Sequence, residues 1–333
     1  MTLTTLPEPR SWQQELRDLI SNPAELLQIL ELTPEQVDLS EAACEDFPLR
    51  VPRCFAARMK AGDPHDPLLR QVLASAQETL PQPGYHRDPL QEIGSANPSP
   101  GIIHKYHGRV LLMASGSCAI NCRYCFRRHF PYAEQRNSRR QWQATLDYVR
   151  RDTSIEEVIL SGGDPLMLTD SQLTELADQV ASIDHVRRLR IHSRLPVVIP
   201  QRVTEDLLTA ILRPSLQTLV VVHCNHSREI GSDMERAVAS LNRQGVPCLN
   251  QAVLLAGVND REQDQIDLWQ TLWQIGVGAY YLHVLDPIQG AAHFDVDEAS
   301  ALALMAAVRS RLPGYMVPTL VREQPGAPSK TTL

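Results

Sequence analysis

From Arg109 to Val321 the chain repeats one pattern, a short apolar run rich in β-branched residues followed by an amphipathic stretch of helical period. RVLLMAS (109–115) leads to RQWQATLDYVRR (140–151), EVILSGG (157–163) to SQLTELADQVASI (171–183), and RRLRIHS (187–193) to TEDLLTAIL (204–212). LQTLVVVH (216–223) leads to EIGSDMERAVASLNRQ (229–244), VPCLNQAVLL (246–255) to REQDQIDLWQTLWQI (261–275), and AYYLHVL (279–285) to DVDEASALALMAAVRSRL (295–312); MVPTLV (316–321) closes the series. A strand that passes through a covering helix into another strand of the same sheet runs parallel to it, with a right-handed crossover. Six such units in a row demand an α/β fold with a parallel sheet, curled into a barrel or part of one. Function in such folds gathers where strands end and loops begin.

The chemically loaded residues fall at those ends. Cys118, Cys122 and Cys125 follow the first strand with the spacing C-x3-C-x2-C and no fourth cysteine nearby. Thiolates normally hold all four irons of a [4Fe–4S] cluster, so three from one tight loop leave one iron open. An open iron can chelate S-adenosylmethionine and pass it an electron, cleaving it to a carbon radical. Two plainer chemistries compete. Structural zinc sites are closed and usually pair two C-x2-C knuckles, but the sequence has no second knuckle. A disulfide beside a spare thiol requires an oxidising compartment, which nothing in the sequence suggests. Tyr124 stands just before the last cysteine, where a nucleoside could lie against the loop.

With 333 residues, 43% of them hydrophobic, the chain can bury one large core and carry a smaller appendage. A net charge of −7 argues against broad nucleic-acid binding. Arg123, Arg127, Arg128, Arg136, Arg139 and Arg140 nevertheless cluster around the cysteines, as a solvated face or as an anion-binding rim. The start, MTLTTLPEPRSWQQEL, lacks the charged and apolar regions of a signal peptide. No apolar run approaches the ~20 residues that span a bilayer, so the chain reads as cytoplasmic, with Cys44, Cys54, Cys224 and Cys248 as reduced thiols. Residues 1–100 read as a proline-punctuated helical extension, with helices over 12–20, 23–32 and 66–80 and an irregular Pro/Gly-rich linker over 81–101. Residues 101–333 read as the barrel.

Several motifs carry two readings each. SGGDP (161–165) puts Gly162 and Gly163 at a strand end, where backbone can approach a ligand closely and Asp164 can hold an amino group; a plain turn capped by Asp164 is the alternative. Lys330, after a Pro/Gly segment, is either a solvated tail lysine or a lysine placed to form a Schiff base with pyridoxal phosphate. Arg127 is either a fork for a substrate carboxylate or a surface ion pair. Asp286 and Glu323 either hold a substrate ammonium or are solvated acids, and Tyr106 and Arg109 either meet a phosphate or ring or pack at a strand edge.

In combination, KYHGRVLLMASGSCAINCRYCFRRHFPYAE, SGGDPLM, RIHSRLPVVIPQR, LNQAVLLAGVND, YYLHVLDPIQGAAHF and PSKTTL resemble the lysine 2,3-aminomutases. The similarity is greatest to their short bacterial branch, which supplies (R)-β-lysine for modification of elongation factor P. The resemblance implies a partial TIM-like barrel, (β/α)6, with an N-terminal helical extension. It implies an isomerase that moves the 2-amino group of L-lysine to C3, using a [4Fe–4S] cluster, S-adenosylmethionine and pyridoxal phosphate. Cys118, Cys122 and Cys125 match the cluster ligands. Gly162, Gly163, Asp164, His223 and Gln251 match contacts to S-adenosylmethionine. Lys330 matches the lysine that carries pyridoxal phosphate, with Tyr106 and Arg109 near that cofactor. Arg127 matches the α-carboxylate ligand, and Asp286 one of two acids that bind the ε-ammonium. The family's second acid is an aspartate; counting back from Lys330, this chain offers Glu323, and the extra methylene shifts where an ammonium sits. The implied partners are a flavodoxin- or ferredoxin-type reductant and a ligase that attaches β-lysine to elongation factor P. Two other functions remain open here: radical chemistry on another cationic amino acid, and an electron-transfer module that binds a cluster but neither pyridoxal phosphate nor substrate.

Overall fold

The structure, a computed structural model, describes residues 10–93, 96–98, 101–132 and 139–333, with the side chains of 139–141 excepted. Arg136, Arg139 and Arg140 of the arginine cluster therefore lie outside the described side chains. Among the described residues nine strands form one sheet in sequence order: β1 (Ile102–Tyr106), β2 (Arg109–Ser115), β3 (Glu157–Gly162), β4 (Arg188–Ser193), β5 (Gln217–Val222), β6 (Cys248–Val253), β7 (Val277–His283), β8 (Thr319–Arg322) and β9 (Thr331–Thr332). β2 to β8 run parallel, as the repeated pattern requires. β1 and β9 add antiparallel at the two edges and do not pair with each other, so the barrel stays open.

The parallel strands alternate in an informative way. On β4, Leu189 and Ile191 are fully buried under the helices, while Arg190 and His192 point into the lumen. β3 does the same with Val158 and Leu160 outward and Ile159 and Ser161 inward. A sheet covered by helices normally reads as continuous apolar runs; here the inner face is polar because it lines a cavity. Each outward Leu, Ile or Val contributes about 1.5–3 kcal/mol by leaving water. The covering helices span Arg139–Arg151, Asp170–Ala181, Glu205–Ile211, Ser232–Arg243, Glu262–Gln274 and Glu298–Arg311. Several begin on side-chain caps, among them Thr169 with Gln172, Thr204 and Asp297.

The N-terminal residues share the barrel's core: Trp12, Ile20, Leu26, Phe55 and Leu68 are buried in the same cluster as Val158 and Leu189. The helix expected over 66–80 is broken into Pro67–Arg70 and a 3-10 turn, Ala76–Thr79. Ser75 and Glu78 form a capping box that starts a new turn, and the Gln71 carbonyl is taken by the backbone N–H of Arg123. Among the described residues no helix is long and apolar enough to cross a membrane.

Candidate active site

The loop after β2 lays Cys118, Cys122 and Cys125 along one wall of a cavity, with Tyr124, Tyr132, Gly162, Gly163, Asp164 and Arg194. All seven cysteines are free thiols. Among the described residues no three His, Cys, Asp or Glu side chains converge on a point suited to a single metal ion; the three thiols share a wall instead, which suits a larger group. Arg194 donates from Nη1 to the Cys122 sulfur and from Nη2 to Gln71 Oε1 at 2.7 Å and Glu229 Oε2 at 3.0 Å. Burial pushes the Cys125 thiol up to about 11 and raises Cys118 as well, so without iron both stay protonated. These residues fit an iron–sulfur cluster.

The loop is fastened from behind by arginines that charge counting reads as a rim. Arg123 is fully buried, donating to Glu78 Oε1 at 2.8 Å and to the carbonyl of Ala43 at 3.0 Å. Arg128 reaches Glu78 Oε2 at 2.9 Å and Asp46 at 3.3 Å. Both cations are spent on joining the cysteine loop to the N-terminal extension, so neither offers charge to an anion.

The two glycines after β3 are explained by the same docking. A Cβ on Gly162 would stand 2.3 Å from the Ser115 carbonyl oxygen, and Gly162 has φ +120°. A Cβ on Gly163 would stand 2.5 Å from the Ser117 oxygen. Backbone N–H groups of Gly163 and Asp164 donate to those carbonyls at 2.8 and 2.9 Å. Gly163→Ala is therefore expected to push the cysteine loop outward and to destabilise by about 2 kcal/mol; iron content after reconstitution and the thermal midpoint should fall together. Asp164 is filled by the protein itself. Oδ1 accepts from Leu166 N at 3.0 Å and Ser193 Oγ at 2.7 Å, and Oδ2 from Arg194 N at 2.8 Å and Leu195 N at 3.2 Å. Burial raises its carboxyl to about 6 despite these donors. The structure thus gives Asp164 the capping role, for the turn Pro165–Met167. Tyr124 lines the cavity and accepts at its hydroxyl from Asn225 Nδ2 at 2.7 Å.

A second cavity adjoins the first and shares Phe126, Arg127, Ser161, His192, His223, Gln251, Val253 and Asp286 with it. The two form one lumen. Lys330 opens into it because β9 folds the tail back onto β8. Its amine donates to Glu323 Oε2 at 2.5 Å and lies 5.9 Å from the centre of the Tyr281 ring. A chain of buried ion pairs then crosses the lumen. Glu323 Oε1 meets Lys105 at 2.7 Å, Lys105 meets Glu92 Oε1 at 3.0 Å, and Glu92 grips Arg127 at Nε (2.7 Å) and Nη2 (3.0 Å). Burial opposes the charge on Glu323, but Lys330 and Lys105 hold its carboxyl down at about 2. Asp286 goes the other way: burial and the neighbouring Glu323 raise it to about 7. Burial, aided by Arg194 and Arg127, pushes His223 down to about 4, and its ring stands 3.4 Å from His192 Nδ1. Arg109 lies over the Tyr106 ring at 4.7 Å and has no carboxylate at ion-pair distance among the described residues. Among the described residues, His192 Nε2 and His283 Nε2 are buried without hydrogen-bond partners. Unsatisfied buried polar atoms facing a cavity suit a bound polar group, and with Lys330 and Arg109 they fit pyridoxal phosphate.

Apart from Arg136, Arg139 and Arg140, the candidate residues read from the sequence are all described, and most face one lumen. The motifs pointed past Glu92, Lys105, Arg190, Tyr281 and His283. Four of these five had a signal. Arg190 alternates with apolar neighbours on β4, Tyr281 and His283 do so on β7, and Lys105 lies on a strand edge. Glu92 had none, since it sits in the Pro/Gly-rich linker.

Residues 113–268 match the Radical SAM superfamily. The chain is 49% identical to the L-lysine 2,3-aminomutase of Escherichia coli (strain K12), over 100% of this chain and 97% of that protein. It is 46% identical to the L-lysine 2,3-aminomutase of Haemophilus influenzae, over 97% and 96%. It is 32% identical to that of Clostridium subterminale, over 96% of this chain and 77% of the longer relative. With an open parallel barrel, three cysteines on one wall and a lysine in the same lumen, the chain belongs to the lysine 2,3-aminomutases, isomerases of the radical SAM superfamily that work with a [4Fe–4S] cluster and S-adenosylmethionine.

Proposed function

We propose that the protein converts L-lysine to (R)-β-lysine, with pyridoxal phosphate carried on Lys330 and the cluster held by Cys118, Cys122 and Cys125, and that residues 1–100 brace the barrel of residues 101–333. The observation that supports it most is the shared lumen: the thiols and the Lys330 amine open into adjoining cavities with common walls. When bound, the cluster with S-adenosylmethionine supplies a carbon radical, and pyridoxal phosphate supplies a π-bond across which the amino group can move. The chain's own task is positioning. Arg127 binds the α-carboxylate and Asp286 the ε-ammonium. Glu323, ionised because Lys330 and Lys105 hold its carboxyl down at about 2, anchors the Lys330 amine at 2.5 Å until that amine is engaged. Tyr106 and Arg109 sit on the pyridoxal phosphate side. Tyr124, Gly162, Gly163, Asp164, His223 and Gln251 sit on the S-adenosylmethionine side. The apolar walls Ile103, Leu111 and Val253 keep water from a radical.

The product is destined for a ligase that attaches it to elongation factor P, in the cytoplasm, and the electron comes from a flavodoxin- or ferredoxin-type reductant. The test is an anaerobic assay of reconstituted protein with S-adenosylmethionine, pyridoxal phosphate, dithionite and L-lysine. β-Lysine is expected, in the R configuration, and only when pyridoxal phosphate is present. Deoxyadenosine without β-lysine would mean that the substrate is another amino acid.

A further inference from the structure

The carboxylate grip on Arg127 is already half taken. A guanidinium carries five N–H donors. Glu92 accepts one from Nε at 2.7 Å and one from Nη2 at 3.0 Å, and Ser161 Oγ accepts one from Nη1 at 3.3 Å. One donor remains on each terminal nitrogen, at the end of a side chain that lines both cavities. Glu92 is only 4% exposed and is also held by Lys105 at 3.0 Å. Removing one partner from such a buried pair strands the charge of the other, and displacing Glu92 would strand Lys105 as well. Glu92 therefore stays in place when substrate binds, and the free end of the fork is what a ligand meets. The charges agree. Arg127 and Glu92 cancel each other, and Lys105, shared between Glu92 at 3.0 Å and Glu323 at 2.7 Å, fixes the Glu92 carboxylate from its other side.

Resting on the reading that Arg127 receives the substrate carboxylate, we infer that Glu92 is a positioning residue that aims the free edge of Arg127, and that Lys105 is the positioning residue that holds Glu92 in that pose. The linker that supplies Glu92 is thereby part of the recognition of α-amino acids. It is itself tied to the loop after β7, through His86 N to the Pro287 carbonyl at 2.8 Å and Gln289 N to the His86 carbonyl at 2.9 Å. Carboxylate recognition and the Asp286 end are thus held in register by one stretch of chain.

The test is equilibrium binding to the cofactor-loaded enzyme without reductant, so that nothing turns over. Two probes are used, L-lysine and L-lysinamide, which lacks the carboxylate charge. Glu92→Asp keeps the charge but shortens the reach. It should weaken L-lysine about tenfold or more, the worth of a hydrogen bond to a charged group, and leave L-lysinamide within about twofold. Lys105→Met is an independent arm and should give the same split. Equal losses for both probes, or no loss for either, would overturn the inference. Arg127→Lys separates the two levels: if it leaves L-lysine binding unchanged, the assignment of Arg127 itself fails, whereas a loss there with no split in the Glu92 and Lys105 variants refutes the positioning role alone.

Discussion

Lys330→Ala is expected to fold, to keep cleaving S-adenosylmethionine, and to form no detectable β-lysine. Folding is expected because Glu323 keeps one of its two cations. Glu323 loses the amine on Oε2 but keeps Lys105 on Oε1 at 2.7 Å, so no buried carboxylate is left uncompensated. A cost of about 1 kcal/mol is the scale for one such bond with its partner still satisfied. The cysteine wall is untouched, since Arg194, Gly162 and Gly163 hold it without help from β9. Chemistry fails because among the described residues no other lysine stands free in the lumen: Lys105 is pinned between Glu92 and Glu323. Two measurements check this together, the visible absorbance of lysine-bound pyridoxal phosphate and the ratio of deoxyadenosine to β-lysine. Retained β-lysine formation would remove Lys330 from the mechanism.

That variant also marks where the sequence stops being legible. The parallel strands were readable because a βα repeat leaves few alternatives, and the strand-end rule placed Cys118, His192, His223 and Asp286 on one rim. Lys330 was not decidable in that way. β9 is two residues long, too short for any periodicity, and what pins the tail is its pairing with Val321 and Arg322 on β8. Arg123 and Arg128 looked like a rim because charge was counted without partners. Their carboxylate, Glu78, lies 45 and 50 residues upstream, and composition says nothing about pairs at that range. Glu92 was invisible for a different reason. Proline and glycine mark a segment as irregular, and an irregular segment can still be held tightly by a buried ion pair.

Asp286→Asn is expected to lower kcat/KM for L-lysine by about a hundredfold while raising stability at neutral pH. The two effects share one cause. Burial and the neighbouring Glu323 raise the Asp286 carboxyl to about 7, with Lys330 only partly offsetting them. A raised carboxyl favours the neutral form in the fold, so its contribution to stability is full below the unfolded pKa near 4 and is lost as pH climbs through about 7. Asparagine removes that penalty. In cofactor-free protein the variant should melt higher at pH 8 by an amount on the order of 2 kcal/mol, allowing for partial exposure, and the difference should vanish near pH 4. Function runs against this. An ε-ammonium needs the ionised carboxylate, and Glu323 cannot substitute while Lys105 holds one of its oxygens. Losing a charge-assisted bond of about 2–3 kcal/mol accounts for the hundredfold. The wild-type enzyme should also bind L-lysine more weakly as pH falls below about 7, approaching tenfold per unit, because substrate must then displace a proton from Asp286. The variant should lose that pH dependence. A pH-independent wild type, or a variant that melts lower at pH 8, would mean that Asp286 is ionised in the empty site and that the lumen holds its charge by partners other than these.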